Sequence, residues 1–183
     1  CPGLEKVTIP EGIETIGNGA FAGCGNLTDI IMPGSVTTIG NSAFESTGKV
    51  KKIEIGRGTV TIADNAFKNC NELEEVSLPD TIETIGVNAF QNDQKITGLK
   101  LPKNIKTMGY GAFGECTGLT EIEIPKTLEK VTTYHYGENN GAFRGCSNLK
   151  EVRFEEGTKK VAEYLFTNCP GLEKVTIPEG IET

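Results

Sequence analysis

The sequence has no tryptophan, a single histidine and only two methionines among its 183 residues. It has no apolar run near the roughly 18 residues of a membrane-spanning helix. The chain has 18 Lys and Arg residues and 25 Asp and Glu residues, and its net charge is −7. The basic residues form no cluster. We therefore expect no membrane insertion and no nucleic-acid partner, because binding to phosphates needs a basic stripe.

Motifs for catalysis are also missing. The chain contains no phosphate-binding glycine loop, no HExxH and no GxSxG. Its histidine, His135, has no partner Ser, Cys or carboxylate at a catalytic spacing. No CxxC or Cys–His spacing suggests a metal site. We expect a protein that is not an enzyme and holds no cofactor or metal.

A short repeat runs through the whole chain. A phenylalanine returns every 23 residues (44 − 21), with one interval of 30 (143 − 113). A second apolar series keeps the same spacing. The first series is Phe21, Phe44, Phe67, Phe90, Phe113, Phe143 and Phe166, and the second is Leu4, Leu27, Val50, Leu73, Ile96, Leu119, Leu149 and Leu172. The spacing predicts one solenoid domain over residues 1–183, with seven full repeats and a partial eighth.

One unit shows why the repeats must stack. Val7 and Ile9 are two residues apart, as in a strand with one buried face. Ile13 and Ile16 are three apart, which fits a tight helical turn or a corner, and Phe21 then returns to the interior. A single unit cannot bury these groups, so neighbouring units must cover them in register.

The unit reads L-x-x-[IV]-x-[IL]-P-x-x-[IV]-x-x-I-G-x-x-A-F-x-x-C. It resembles the leucine-rich repeat of BspA-like bacterial surface proteins, and the resemblance covers the whole chain. The resemblance implies a right-handed solenoid with a parallel β-sheet face, mostly β and irregular with short helical turns. It also implies an extracellular or cell-surface location and a role in adhesion or in binding host or matrix proteins.

The six cysteines share one repeat position, which Thr47 and Asp93 fill in two other units. They are Cys1, Cys24, Cys70, Cys116, Cys146 and Cys169. Neighbouring coils bring some pairs close enough for disulfides, but Cys70 has no cysteine in either adjacent unit. The other interpretation is a column of buried thiols that fills one corner of the coil.

Outward positions of the predicted strands form charged ladders across the coils. Opposite charges alternate along part of them, as in cross-strand pairs. This face is either a solvated surface stabilised by such pairs or a partner-binding surface, although it carries no aromatic anchor. The candidate binding residues on it are Lys52, Glu54, Glu75, Lys100, Glu121, Glu123 and Arg153.

A threonine ladder predicts a second row of short strands, since threonine suits an exposed, extended edge. Its members are Thr15, Thr38, Thr61, Thr84 and Thr107, followed by Lys130, Lys160 and Thr183. We expect this row to be structural.

The sixth repeat contains a seven-residue insertion within the loop from Thr132 to Gly141. Insertions in solenoids map to loops, often on the binding face. Tyr134, His135 and Tyr136 are therefore candidate contacts, because exposed tyrosines are common interface anchors. A tolerated insertion without a role is the alternative.

Residues 1–15 recur without change as residues 169–183. Solenoid ends normally carry polar caps, and neither end does here. We expect the first and last coils to bury their apolar faces against another copy or chain. Two functions therefore stay open: a protein-interaction or adhesion module, and a structural spacer, filament or designed scaffold that stacks end to end. The chain has no initiating Met and no signal peptide, so we expect a fragment or mature segment.

Overall fold

The computed structural model describes residue 1, residues 3–132 and residues 141–181. The described part is a parallel β-solenoid of thirteen short strands. We number its coils from the apolar residue that opens each repeat, so that coil 1 begins at Leu4, coil 2 at Leu27 and coil 8 at Leu172. None of the described residues forms a helix that could cross a membrane.

Every coil except coil 5 contributes its first strand to one side of the solenoid, which we call the front face. The front strands are β1 (Lys6–Thr8), β3 (Asp29–Ile31), β5 (Lys52–Glu54), β7 (Glu75–Ser77), β10 (Glu121–Ile124), β12 (Glu151–Phe154) and β13 (Lys174–Thr176). They form two sheets, in the orders β1-β3-β5-β7 and β10-β12-β13.

A second row of strands forms one continuous sheet of six. These strands are β2 (Thr15–Ile16), β4 (Thr38–Ile39), β6 (Thr61–Ile62), β8 (Thr84–Ile85), β9 (Thr107–Gly109) and β11 (Lys130–Thr132). The predicted threonine row is therefore present from Thr15 to Lys130. It does not reach Lys160, which lies outside any strand.

Strand pairing follows the repeat. Thr38 pairs with Thr61 in the second row, and Val7 pairs with Ile30 on the front face. Ile122 pairs with Val152, thirty residues on (152 − 122), so the longer sixth repeat keeps its neighbours in register. Each residue therefore lies beside its counterpart in the next coil.

Seven of the eight phenylalanines form a single stack through the core. Consecutive rings lie 5.0 to 5.5 Å apart between centroids, with interplanar angles of 0° to 18°. Phe113 and Phe143 stack at 5.5 Å despite their 30-residue separation. The five inner rings are fully buried, whereas Phe21 and Phe166, at the two ends, are only partly buried.

The expected short helical turns are not found among the described residues, where hydrogen-bonded turns stand in their place. The residues two before and two after most of the stacked phenylalanines have positive φ, for example 53° at Asn88 and 66° at Asn92 around Phe90. A left-handed residue cannot continue a right-handed helix. The backbone therefore turns on both sides of the ring.

The cysteine column lies at a corner of the coil, and all six thiols are free. The thiol of Cys116 donates to the Phe90 carbonyl of the preceding coil at 3.1 Å, and the Cys146 thiol makes the same contact with Phe113 at 3.2 Å. Burial raises the pKa of the Cys70 and Cys146 thiols to about 12. These are structural thiols held in the protonated form.

Candidate interaction face

The middle of the front face carries an ion-pair cluster. The Lys52 ammonium lies 3.1 Å from the Glu54 carboxylate and 3.5 Å from that of Glu75 in the next coil. Hydrogen bonding to Glu54, with its charge and that of Glu75, raises the pKa of Lys52. All three side chains are more than half exposed, so this cluster contributes little to stability.

The front face is interrupted at coil 5. Residues 97–101 occupy the place of a strand between β7 and β10 but are not assigned to one. In regular coils the backbone continues the ladder, as in Glu74 N–H to Lys51 O at 2.8 Å and Ile55 N–H to Ser77 O at 3.0 Å. No backbone hydrogen bond of this kind joins residues 97–101 to either neighbouring coil in the described structure.

Gly98 stands at the centre of this interruption. The repeat pattern predicts a strand at this place in every coil, and for Gly98 and Lys100 that prediction was wrong. Glycine weakens a strand because it loses more backbone entropy and offers no side chain for cross-strand packing. Leu99 and Leu101 remain buried, 9% and 3% exposed, so the segment stays on the core without joining the sheet.

A groove of about 250 Å³ lies beside the interruption, between coil 5 and coils 6 and 7. Its floor is apolar and its walls are charged. The charged groups around it are Lys100, Lys103, Glu121, Glu123, Arg153 and Glu155, and the apolar groups are Leu99, Leu101, Ile122 and Pro125.

The charges on the far wall are paired with one another. An Arg153 nitrogen donates to the Glu121 carboxylate at 2.7 Å, and another Arg153 nitrogen lies 3.3 Å from Glu151. The hydrogen bond from Lys174 at 2.8 Å is the main cause that lowers the pKa of Glu151, and Arg153 acts in the same direction. These contacts hold Arg153 along the groove wall.

Three charges at the groove have no ion-pair partner within the described part of the chain, namely Lys100, Lys103 and Glu123. Lys100 and Glu123 occupy equivalent positions in neighbouring coils, where a regular sheet would set them side by side. The missing ladder leaves both available to another molecule.

Four of the candidate residues from the sequence thus lie together at the groove: Lys100, Glu121, Glu123 and Arg153. Lys52, Glu54 and Glu75 form the separate cluster in coils 3 and 4. Tyr134, His135 and Tyr136 lie outside the described residues. Sequence reasoning missed Lys103, Glu155 and the interruption itself, for which glycine at a strand position was the available signal.

The fold and this face define a tandem-repeat solenoid with a parallel-strand surface. The model of the BspA-type leucine-rich repeat region matches the chain in six copies, over residues 1–116, 85–140 and 116–183, and the chain belongs to this family. Proteins with this repeat are usually bacterial surface proteins and generally serve as protein-interaction modules. No curated protein matches the chain.

Solved structures of bacterial leucine-rich repeat proteins share the fold. A protein from T. pallidum is 26% identical with a TM-score of 0.64, and the match covers 95% of this chain and 70% of that one. A protein from Bacteroides ovatus is also 26% identical, with a TM-score of 0.56 and coverage of 100% and 63%. A leucine rich cell surface protein from Faecalibacterium prausnitzii, 22% identical with a TM-score of 0.63, is similar in fold, with coverage of 98% and 61%. The chain thus spans less than two thirds of the length of the last two.

Proposed function

We propose that the chain is a non-enzymatic interaction module of a bacterial surface or secreted protein, and that it binds a protein partner at the groove of coil 5. The observation that carries this proposal is the interruption of the front sheet at residues 97–101. It leaves backbone N–H and C=O groups unpaired within an otherwise paired surface, beside three charges that have no ion-pair partner among the described residues.

An extended segment of a partner protein fits this chemistry. Unpaired backbone N–H and C=O groups can hydrogen-bond to the backbone of such a segment, and side-chain pockets then supply specificity. Lys100 and Lys103 favour an acidic side chain on the partner, and Glu123 favours a basic one. The shallow apolar floor adds contact area, but none of the described residues that line the groove is aromatic, so we expect modest affinity.

The test uses peptides selected from a displayed random library against the intact protein. Their affinity is measured by calorimetry for the wild type, for Lys100→Glu/Lys103→Glu, and for Lys52→Glu as the matched control in coil 3. We expect the double variant to weaken binding at least tenfold and the control to leave it unchanged. Peptides that bind all three proteins equally would refute the groove as the site.

The insertion in the sixth repeat supplies a second arm of the same experiment. Deleting residues 134–140 restores the 23-residue spacing, and the stack of Phe113 on Phe143 is already continuous across it. We expect the deletion variant to fold and to keep peptide binding. Loss of binding in this variant alone would assign recognition to Tyr134, His135 and Tyr136 instead.

A further inference from the structure

A second groove lies on the front face, where the front strands of coils 2 to 4 end. We call it the coil-3 groove. Its volume is about 490 Å³, and it shares no lining residue with the groove at coil 5. Its floor is apolar and consists of Met32, Ile55 and Pro79. Sites for small ligands usually have volumes of about 300–1,000 Å³, so this groove is large enough for one.

Arg57 borders the coil-3 groove and has no ion-pair partner within the described part of the chain. Its counterparts in the neighbouring coils, 23 residues away (57 − 34 and 80 − 57), are Gly34 and Asp80. Gly34 has no side chain to offer. An Asp80 carboxylate oxygen instead accepts the Lys103 N–H of the following coil at 3.0 Å. The Arg57 guanidinium is therefore available to an anion from outside the chain.

Gly56 adds a backbone donor at the same place. Five other coils have proline at this position, which has no N–H, namely Pro10, Pro33, Pro79, Pro102 and Pro125. Gly56 is buried and lines the groove, yet its N–H has no hydrogen-bond partner among the described residues. Buried backbone N–H groups without a partner are rare in proteins. An oxygen of a ligand bound beside Arg57 would supply the missing acceptor.

Close packing against coil 2 holds this turn in place. A Cβ atom at Gly56 would collide with the Pro33 carbonyl oxygen, and one at Gly58 would collide with the Gly34 carbonyl oxygen. The two glycines therefore let the turn lie directly on coil 2, with the backbone of Arg57 fixed between them. A site that is already ordered loses less entropy when it binds a ligand.

We infer that the coil-3 groove binds the carboxyl terminus of a peptide, which goes beyond the partner site proposed at coil 5. The terminal carboxylate accepts hydrogen bonds from the Arg57 guanidinium and the Gly56 N–H. The last side chain is apolar and packs on Met32, Ile55 and Pro79. A guanidinium matches a carboxylate through two parallel hydrogen bonds, and backbone N–H groups are a recurrent means of capturing C-terminal carboxylates.

The charges around the groove favour a carboxylate over a phosphate. Glu54 borders the groove, and Asp80 follows Pro79 in coil 4. A phosphate group carries more negative charge than a carboxylate, so these two side chains repel it more strongly. The Glu54 carboxylate also lies 3.1 Å from the Lys52 ammonium, which leaves Arg57 to the ligand.

The length of the groove favours the end of a chain. The groove reaches across three coils, a distance of roughly 10 Å at the usual spacing between strands. That distance accommodates about three residues of extended peptide. The occupant is therefore a short terminal segment that ends at Arg57.

A pair of peptides tests the inference on the intact chain. One is acetyl-Gly-Ala-Leu with a free carboxyl terminus, and the other is the same peptide with a carboxamide in its place. Titration is followed by the amide NMR resonances of the protein. We expect the acid to bind with a Kd in the millimolar range and to shift the Gly56 resonance, and the amide to bind at least tenfold more weakly. Equal binding of the two peptides, or no shift at Gly56 with the acid, would overturn the inference.

Two matched pairs of variants locate the carboxylate. Arg57→Gln should weaken binding of the acid at least tenfold, whereas Lys51→Gln, which removes a positive charge from the same coil outside the groove, should not change it. Gly34→Asp places a carboxylate beside Arg57 as an internal competitor and should weaken binding to a similar degree, whereas Gly34→Ala should not. A Cβ atom at Gly34 would meet no atom within 4 Å, so both variants of this residue should fold.

Three further results would contradict the proposed site. They are wild-type affinity of Arg57→Gln for the acid, equal weakening by Gly34→Ala and Gly34→Asp, and tighter binding of inorganic phosphate than of the acid. The Lys100→Glu/Lys103→Glu variant should bind the acid as the wild type does. Failure of the coil-3 groove is therefore distinguishable from failure of the site at coil 5.

Discussion

At the scale of single residues, Asp93 is the least expected group in the core. It occupies the cysteine column and is fully buried. One carboxylate oxygen accepts the Cys70 N–H at 2.7 Å, but the other has no hydrogen-bond partner among the residues that the structure describes. Burial raises the pKa of this carboxyl well above its ordinary value, so the folded state favours the neutral acid.

Replacing Asp93 by the cysteine of the repeat should stabilise the protein. An unsatisfied buried polar group costs about 1–3 kcal/mol. The folded-state pKa is raised, so wild-type stability is fully present below the unfolded pKa near ~4 and declines as pH rises toward the folded pKa. We expect Asp93→Cys to gain about 2 kcal/mol at pH 8 and much less at pH 3.5, by urea unfolding. Asp93→Asn is the control. A stability gain of Asp93→Cys that is equal at pH 8 and pH 3.5 would contradict the raised pKa of Asp93.

The residues with positive φ give a second prediction at this scale. Tyr164 has φ of 54° and is 47% exposed, whereas the same position in coils 3 and 4 holds Asn65 and Asn88. A left-handed conformation costs most residues roughly 1–2 kcal/mol, and asparagine tolerates it better. Tyr164→Asn should raise the free energy of unfolding by about 1 kcal/mol. Tyr164→Phe should not raise the free energy of unfolding. An equal increase in both variants would show that the positive φ of residue 164 is not the cause.

At the scale of elements, the sequence predicts regular strands well and their interruption poorly. Alternating apolar residues such as Val7 and Ile9 recur in every unit and predict the front strands, and the threonine ladder predicts the second row. Coil 5 keeps Leu99 and Leu101 in that pattern, and the apolar pattern alone therefore hides the break. Register follows the repeat, but the apolar pattern does not show whether the backbone hydrogen bonds of a given coil form. The groove, which exists because of the break, could not be predicted from the ladder.

Glycine substitutions test the role of Gly98 in the break. A Cβ atom at Gly98 would meet no atom within 4 Å, whereas one at Gly118 would lie 2.5 Å from the Ile96 carbonyl oxygen. Gly98→Ala should therefore stabilise the protein by about 0.5–1 kcal/mol through lower unfolded-state entropy. Gly118→Ala should destabilise it, as thermal unfolding would show. Destabilisation by Gly98→Ala would mean that the open backbone there depends on glycine.

At the scale of the whole molecule, the phenylalanine stack runs from Phe21 to Phe166 and connects each coil to the next. Phe90 is fully buried between Phe67 and Phe113, at 5.1 and 5.0 Å. Its replacement by alanine should remove about 3–5 kcal/mol, the usual loss for a buried phenylalanine. Phe21→Ala, at the partly exposed end of the stack, should cost clearly less by the same urea titration. Equal losses would contradict a stack whose interior is better packed than its ends.

The interaction surface of the whole molecule could be predicted only in part from the sequence. The period predicts a solenoid with an extended surface, because each unit must cover the next. Charge along that surface is readable residue by residue, as for Lys100 and Arg153. Their convergence on one groove cannot be read from the sequence, because it depends on how coil 5 lies between β7 and β10.

Amide hydrogen exchange followed residue by residue tests directly whether the front face contains an open site. Residues 98–101 should exchange at least tenfold faster than residues 52–54 in the paired strand β5, and a selected peptide should slow them. Equal protection of the two segments in the free protein would mean that the front sheet is continuous and that the proposed site does not exist.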